Sequence, residues 1–263
     1  MNALCNNNSQ QEKQNAFWEW MALKYPLPFE EKMLDDTSRI ISLVKSKGVE
    51  ISNASILDIG CGTGIYTLPL AREAAMVTGL DNSETMIFRM KDVIASNSVQ
   101  NVQAVKLSWK EADISALGFE KVFDITWISM SHAVQTRQDF EKMEKCAKKW
   151  CVYIGWGRKR KNVLMEEVYR LHGLHYGPPP GVDSAYDILT GSGKSPSLDY
   201  FETSWDWTGT TGETLKAMVF YIEMQGGRPS IDLIEDLLAC HEQNGRISHT
   251  TYVEEGLMVW HAE

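Results

Sequence analysis

What this chain lacks narrows it first. No stretch approaches the ~18 consecutive apolar residues that a bilayer-spanning helix needs. The opening MNALCNNNSQQEKQN is polar and has no apolar h-region, so it does not read as a secretory signal. The five cysteines, Cys5, Cys61, Cys146, Cys151 and Cys240, are odd in number and include no CxxC pair. That usage suggests neither a disulfide framework nor a zinc site; reduced thiols in a cytoplasm are the expectation, and no metal is expected. An excess of positive charge is missing too: 26 Lys and Arg face 35 Asp and Glu, for a net charge of -9. Binding a polyanion needs clustered cations, so nucleic acid is not an expected partner. The one basic run, Arg158-Lys159-Arg160-Lys161, reads as a solvated loop. No internal repeat and no linker-like break in composition divides the chain.

What is present is an ordinary globular composition, with 43% hydrophobic and 23% charged residues, so a full core needs no staples. Residues 1–10 read as a disordered tail. A helix is predicted from Gln11 to about Leu23 and another from Phe29 to Lys47, with Gly48 as its stop. The period then changes. Strands are predicted at Ala54–Ile59, Ala75–Leu80, Val102–Trp109, Val122–Ser129 and Trp150–Trp156. Helices at Ile65–Ala75, Ser83–Ser96 and Arg137–Lys149 separate them. Alternation of this kind implies βαβ units: an α/β, doubly wound, mostly parallel sheet with helices on both faces. Four segments are expected. Residues 1–48 hold the tail and cap helices, 49–157 the ligand-binding core, and 158–196 a lid inserted after the fifth strand. Residues 197–263 hold further strands and helices that complete the same sheet.

The stretch ILDIGCGTGIYTLPLA, residues 56–71, carries the chemistry. Gly60, Gly62 and Gly64 follow an apolar strand in which Asp58 is the only acid. Such a turn lets something approach the backbone closely, and a helix starting near Gly64 would aim N–H groups at an anion. The next acid at a strand end, Asp81, is placed to accept hydrogen bonds from the two hydroxyls of a ribose. A nicotinamide or flavin dinucleotide and S-adenosylmethionine both have that shape. The spacing is GxGxG, where the dinucleotide fingerprint would need glycine at Ile65. Asp58 suits an ammonium and would repel a pyrophosphate.

LDIGCGTG at 57–64, with GLDNSETM at 79–86 and VFDITWIS at 122–129, resembles the class I S-adenosylmethionine-dependent methyltransferases over about residues 50–157. The resemblance implies a seven-stranded sheet whose last strand is antiparallel, and a small-molecule type of enzyme. It places Asp58, Gly60, Cys61 and Gly62 at the methionine part of the cofactor and Asp81 at the ribose. Asn82 and Met86 would lie near adenine. Where the family often has an acid for the adenine amine, this chain has Lys110, so backbone groups and Trp109 would serve there. Ser129 and the following residues through His132 would edge methionine and substrate. Tyr25, with Trp18, would close over the cofactor from an N-terminal cap. The D/N-P-P-Y/F signature of exocyclic-amine methylation is absent.

The expected activity is methyl transfer from S-adenosylmethionine to a small molecule, leaving S-adenosylhomocysteine. A binding protein that transfers nothing, or an enzyme acting on protein or RNA, are the alternatives. His132 is the candidate base, because it follows the fourth strand and titrates near neutrality. Its other reading is a pocket-lining residue. His172 and His175 flank a loop, with Asp183 nearby in sequence. Trp156, Trp205 and Trp207 read either as sheet packing or as an aromatic wall for a cationic or apolar substrate. The oligomeric state and the attacking atom of the acceptor stay open.

Overall fold

The structure, a computed structural model, describes residues 13–263. Cys5 and the tail expected at 1–10 lie outside them. The first helix, α1, covers 13–22, and α2 covers Glu31–Ser46 with Thr37, Ile40, Ile41 and Val44 on its buried face. The βα alternation follows: β1 (Ser55–Ile59), α3 (Thr67–Leu70), β2 (Met76–Asp81), α4 (Glu84–Ser96), β3 (Val102–Lys106), β4 (Phe123–Ser129), α5 (Arg137–Cys146) and β5 (Ala147–Lys161). The chain then runs through α6 (Val163–Leu171), α7 (Val182–Thr190), β6 (Ser197–Thr210), α8 (Thr211–Met224), α9 (Ile231–His241) and β7 (Arg246–His261).

The seven strands form one sheet in the order β3-β2-β1-β4-β5-β7-β6. Pairings β3–β2, β2–β1, β1–β4 and β4–β5 are parallel, and the closing hairpin is antiparallel. Strand order reverses between β1 and β4, which is where an open α/β sheet leaves a crevice at its carboxyl ends. Ile56, Leu57 and Ile59 of β1 and Ile125, Trp127 and Ile128 of β4 are fully buried. Each such aliphatic side chain contributes roughly 1.5–3 kcal/mol of burial. A strand covered on both faces has little polar surface to offer, which explains why both runs are mostly apolar, with Asp58 and Thr126 as buried polar exceptions.

The chain forms two compact units. One comprises Trp18–Gly155, Val182–Asp199 and Gly256–Glu263 and holds the glycine turn. The other comprises 13–17, Trp156–Gly181 and Tyr200–Glu255. Its core packs Leu164, Val168, Met218, Ile222, Ile234, Leu238 and Ile247.

Three expectations are corrected. The helix expected over Ile65–Ala75 is only the four residues of α3. Pro69 brings no N–H, and the Asn101 amide donates to the carbonyls of Ala71 (2.8 Å) and Ala74 (2.9 Å), so the chain turns instead of winding on. The third strand ends at Lys106, and Trp109 lies in a turn closed by Ala112 N–H to Ser108 O (3.0 Å). The fifth strand is 15 residues long and carries the basic run Arg158–Lys161, which is strand and not loop.

Candidate active site

The glycine turn leaves β1 at the switch point. Gly60, Gly62 and Gly64 have φ of +72°, +55° and +88°, where a side chain is strained. A Cβ on Gly60 would stand 2.1 Å from the Ser131 hydroxyl oxygen. Gly60 therefore makes room first for the loop after β4. At Gly62 a Cβ would meet only Met86 Sδ and Tyr25 Cε1, each at 3.9 Å.

The turn's amides do not form an open anion cradle. Gly60 and Cys61 both donate to Leu80 O (2.7 and 3.0 Å), and Gly64 donates to Cys61 O (2.9 Å). Gly62 donates to Asp81 Oδ2 (2.9 Å), and Ser83 donates to Oδ1 of the same carboxylate (2.8 Å). Because α3 begins only at Thr67 and is four residues long, the expected helix-terminus charge does not develop either. The turn instead fixes Asp81 at the end of β2.

Asp58 sits inside β1, opposite Gly79 of β2 and Trp127 of β4. It is 2% exposed and accepts one hydrogen bond, from the Thr67 hydroxyl at 2.5 Å. Burial, and secondarily the nearby Asp81, push its carboxyl up to about 7. Burial also raises the Asp81 carboxyl, against the lowering pull of its amide bonds from Ser83 and Gly62. No cation pairs with either acid among the described residues. Two adjacent carboxyls raised by burial and without a counter-charge mark a candidate functional site. The Cys61 thiol is pushed well up by burial and by both acids, so it packs as a filler against Leu68, Ile87 and Met90.

The N-terminal helix and the segment after it bond to this turn and to α4. Thr63, fully buried, donates its hydroxyl to Pro26 O (2.8 Å). Arg89 of α4 donates to the carbonyls of Ala22 and Tyr25. Glu19 accepts from Glu84 N (2.8 Å) and from the Thr85 hydroxyl (2.5 Å), tying α1 to the start of α4. Tyr25 is half-buried, with Trp18 edge-on at 6.0 Å.

The other predicted residues are spread around this centre. Met86 is buried in the first turn of α4, where its N–H donates to the Ser83 hydroxyl (3.1 Å), and Asn82 is exposed. Trp109 is 3% exposed, its ring lies 4.6 Å beneath the Lys142 ammonium, and its carbonyl accepts from the same lysine. Lys110 is exposed. Ser129 ends β4 half-buried. Burial and the Lys110 charge hold His132 below its ordinary value, and Gln135 Nε2 lies 3.2 Å from its Nδ1. His172 is occupied elsewhere: Nδ1 meets Val168 O at 2.7 Å, and Nε2 accepts from Ser230 N at 3.0 Å. Met130, one of the residues expected to edge methionine and substrate, takes φ +49° directly after β4 and donates to Ile154 O (2.8 Å), a conformation the sequence did not announce. A non-glycine residue in that region is a strained point, and nothing in its identity announces it.

Sheet order, glycine turn and paired acids together define the class I S-adenosylmethionine-dependent methyltransferase fold. Residues 56–151 match the family described as "Methyltransferase domain". Similar solved structures include a candidate methyltransferase from Bacillus halodurans C-125, 14% identical, TM-score 0.51, covering 86% of this chain and 99% of that one. Another is the magnesium protoporphyrin IX methyltransferase of Synechocystis PCC 6803 with S-adenosylhomocysteine bound, 12% identical, TM-score 0.50, covering 91% and 93%. Among curated relatives, a 23S rRNA (uracil(1939)-C(5))-methyltransferase of Tolumonas auensis is 33% identical over 79 residues, 30% of this chain and 17% of that protein. A ubiquinone biosynthesis O-methyltransferase of Rickettsia prowazekii is 30% identical over 86 residues, 33% of this chain and 32% of that one. The chain thus matches under a third of either relative's length.

Proposed function

We propose that the crevice around Asp58, Gly62, Asp81, Met86 and Tyr25 binds S-adenosylmethionine and that the protein transfers its methyl group to a small molecule. The observation that carries this reading is the pair of neighbouring carboxyls without a counter-charge, one of them clasped by two main-chain amides. Asp58 suits the amino group of the methionine part. Asp81 suits the two ribose hydroxyls, since both of its oxygens are already oriented. The Cβ-free face of Gly62, between Met86 and Tyr25, leaves the backbone open to close approach. When bound, the cofactor supplies a methyl group already activated by a sulfonium. The residues of this chain have to align acceptor and donor and exclude water, which is catalysis by proximity. Trp109, enclosed under Lys142, would support the wall and not stack on a base. Burial and Lys110 favour the neutral form of His132, but the Gln135 amide donates to Nδ1 and leaves the ring proton on Nε2, so His132 would accept a proton only after Nδ1 is released from Gln135.

A nucleic-acid acceptor finds little support in the basic run. Lys159 pairs with Glu202 (2.8 Å) and Glu254 (3.6 Å), and Arg158 lies over the Tyr200 ring (4.6 Å). Titration with S-adenosylhomocysteine by calorimetry tests the site. Asp81→Ala should weaken binding by about 1.5–3 kcal/mol, the worth of lost charge-assisted hydrogen bonds. An unchanged affinity would remove Asp81 from the ribose role. Incubation with methyl-labelled cofactor and a metabolite extract tests transfer; label appearing only in RNA or protein, or in nothing, would overturn the small-molecule acceptor.

A further inference from the structure

The second unit contains an arginine that the methyl-transfer reading does not use. Arg160, near the end of β5, lies between two rings: its guanidinium carbon is 4.9 Å from the Trp156 ring centre and 4.7 Å from that of Tyr176. It makes no ion pair among the described residues, and its Nε is buried without a hydrogen-bond partner. Tyr176 is buried, 9% exposed. Its hydroxyl stands near Thr251 and Arg160 but meets hydrogen-bond geometry with neither. A buried orphan donor costs free energy, and two side by side are rare in a finished core.

The surroundings supply donors and flat walls. Asn162, 1% exposed, donates through Nδ2 to His249 Nδ1 (2.8 Å) and to the Thr251 hydroxyl (2.7 Å). That arrangement leaves the His249 proton on Nε2. Burial pushes His249 down to about 4, so at neutral pH the ring is an uncharged donor. His249 stacks on Trp207 at 6.3 Å and 15°, and Trp207 is itself anchored by Nε1 donating to Thr214 (2.9 Å). Trp205 meets Trp156 edge-on at 5.8 Å. A Cβ on Gly181 would fall 2.1 Å from Trp156 O, so the loop before α7 lies directly on that wall. The nearby acids are engaged: Glu166 accepts from Asn162 N (3.2 Å), and Asp206 accepts from the Thr250 hydroxyl (2.6 Å).

We propose that Arg160, Tyr176 and His249, walled by Trp156 and Trp205, form a binding site for a flat small molecule bearing a carboxylate. The planar guanidinium matches a carboxylate's two oxygens, and its stacking fixes the fork before the ligand arrives. One ligand oxygen would relieve both orphans, accepting from Arg160 Nε and from the Tyr176 hydroxyl. The tryptophans would take the flat body of the ligand, which reverses the cationic preference that they suggest when read alone.

The assignment does not rest on the methyl-donor reading, and the two fail separately. Benzoate, benzamide and phenyl phosphate serve as probes, titrated into the full chain and followed by ligand-observed NMR and tryptophan fluorescence. Benzoate should bind saturably and at least tenfold more tightly than its neutral amide. Arg160→Lys, which keeps the charge and loses the fork, should weaken benzoate at least fivefold and leave S-adenosylhomocysteine affinity within twofold. Tyr176→Phe removes an unsatisfied hydroxyl, so it should leave the melting temperature unchanged or raised while weakening benzoate. Equal binding of benzoate and benzamide, or benzoate affinity unaltered in both variants, would overturn the site. Tenfold tighter binding of phenyl phosphate would overturn the carboxylate assignment.

Discussion

Asp58 is where burial and chemistry oppose each other most directly. Its carboxyl stands at about 7 in the folded chain against an ordinary 3.8. A raised folded value means the native state holds a proton that the unfolded chain has released. The unbound protein should therefore lose stability as pH climbs from about 4 to 7, by an amount on the order of a few kcal/mol. Asp58→Asn keeps an acceptor for Thr67, so it should raise the melting temperature at pH 8 and change little at pH 4. Ligand binding should run the other way. An ammonium needs the ionised acid, so affinity for S-adenosylhomocysteine should rise from pH 6 to 8. Calorimetry in buffers of different ionisation enthalpy should detect a proton released near pH 7, and the asparagine variant should bind weakly at every pH. At Gly60, alanine would meet Ser131 at 2.1 Å in a conformation that side chains avoid. Gly60→Ala should cost at least about 2 kcal/mol by denaturant titration. An alanine variant of native stability would show that the turn has another conformation available.

At the level of elements, α1 stands out because few but specific bonds tie it to the start of α4. Glu19 answers the N-terminal amide of α4 and the Thr85 hydroxyl, standing beside the Ser83 cap. Glu19→Ala should cost about 1 kcal/mol, the usual worth of a helix N-cap, read as a fall in melting temperature. It should also bring more frequent proteolytic cleavage before Tyr25. Elements were the level at which the sequence could be read best. Largely apolar runs at 56–59 and 125–128, interrupted only by Asp58 and Thr126, announced the central strands, since a strand buried on both faces is mostly apolar. The failures were at ends. Nothing local marked Asn101 as the residue that takes the carbonyls of Ala71 and Ala74, because that capture comes from a neighbour 27 and 30 positions away. The extension of β5 through Arg158–Lys161 was hidden for a similar reason. Charges in a strand become legible only when Glu202, Glu254 and Tyr200 stand opposite them.

At the scale of the whole molecule, the doubly wound, mostly parallel sheet was legible, since βαβ alternation allows few topologies, while the order of its strands was not read. The glycine turn was legible in composition but not in purpose: three glycines suggested bare N–H groups, and the folded chain gives those groups to Leu80, Cys61 and Asp81. Neither Met130 nor the orphan pair at Arg160 and Tyr176 left a trace in spacing. The engaged amides have a consequence for motion. Glycine-dense segments are usually taken to be the loosest parts of a protein, yet here Gly60, Cys61, Gly62 and Gly64 all donate hydrogen bonds beside a buried strand. In a deuterium-exchange map of the unliganded protein, residues 60–64 should take up label as slowly as β1 itself, and far more slowly than the turn at 191–193. Rigidity at that bend would let an arriving molecule find its seat already built, with little ordering left to be done at the moment of contact.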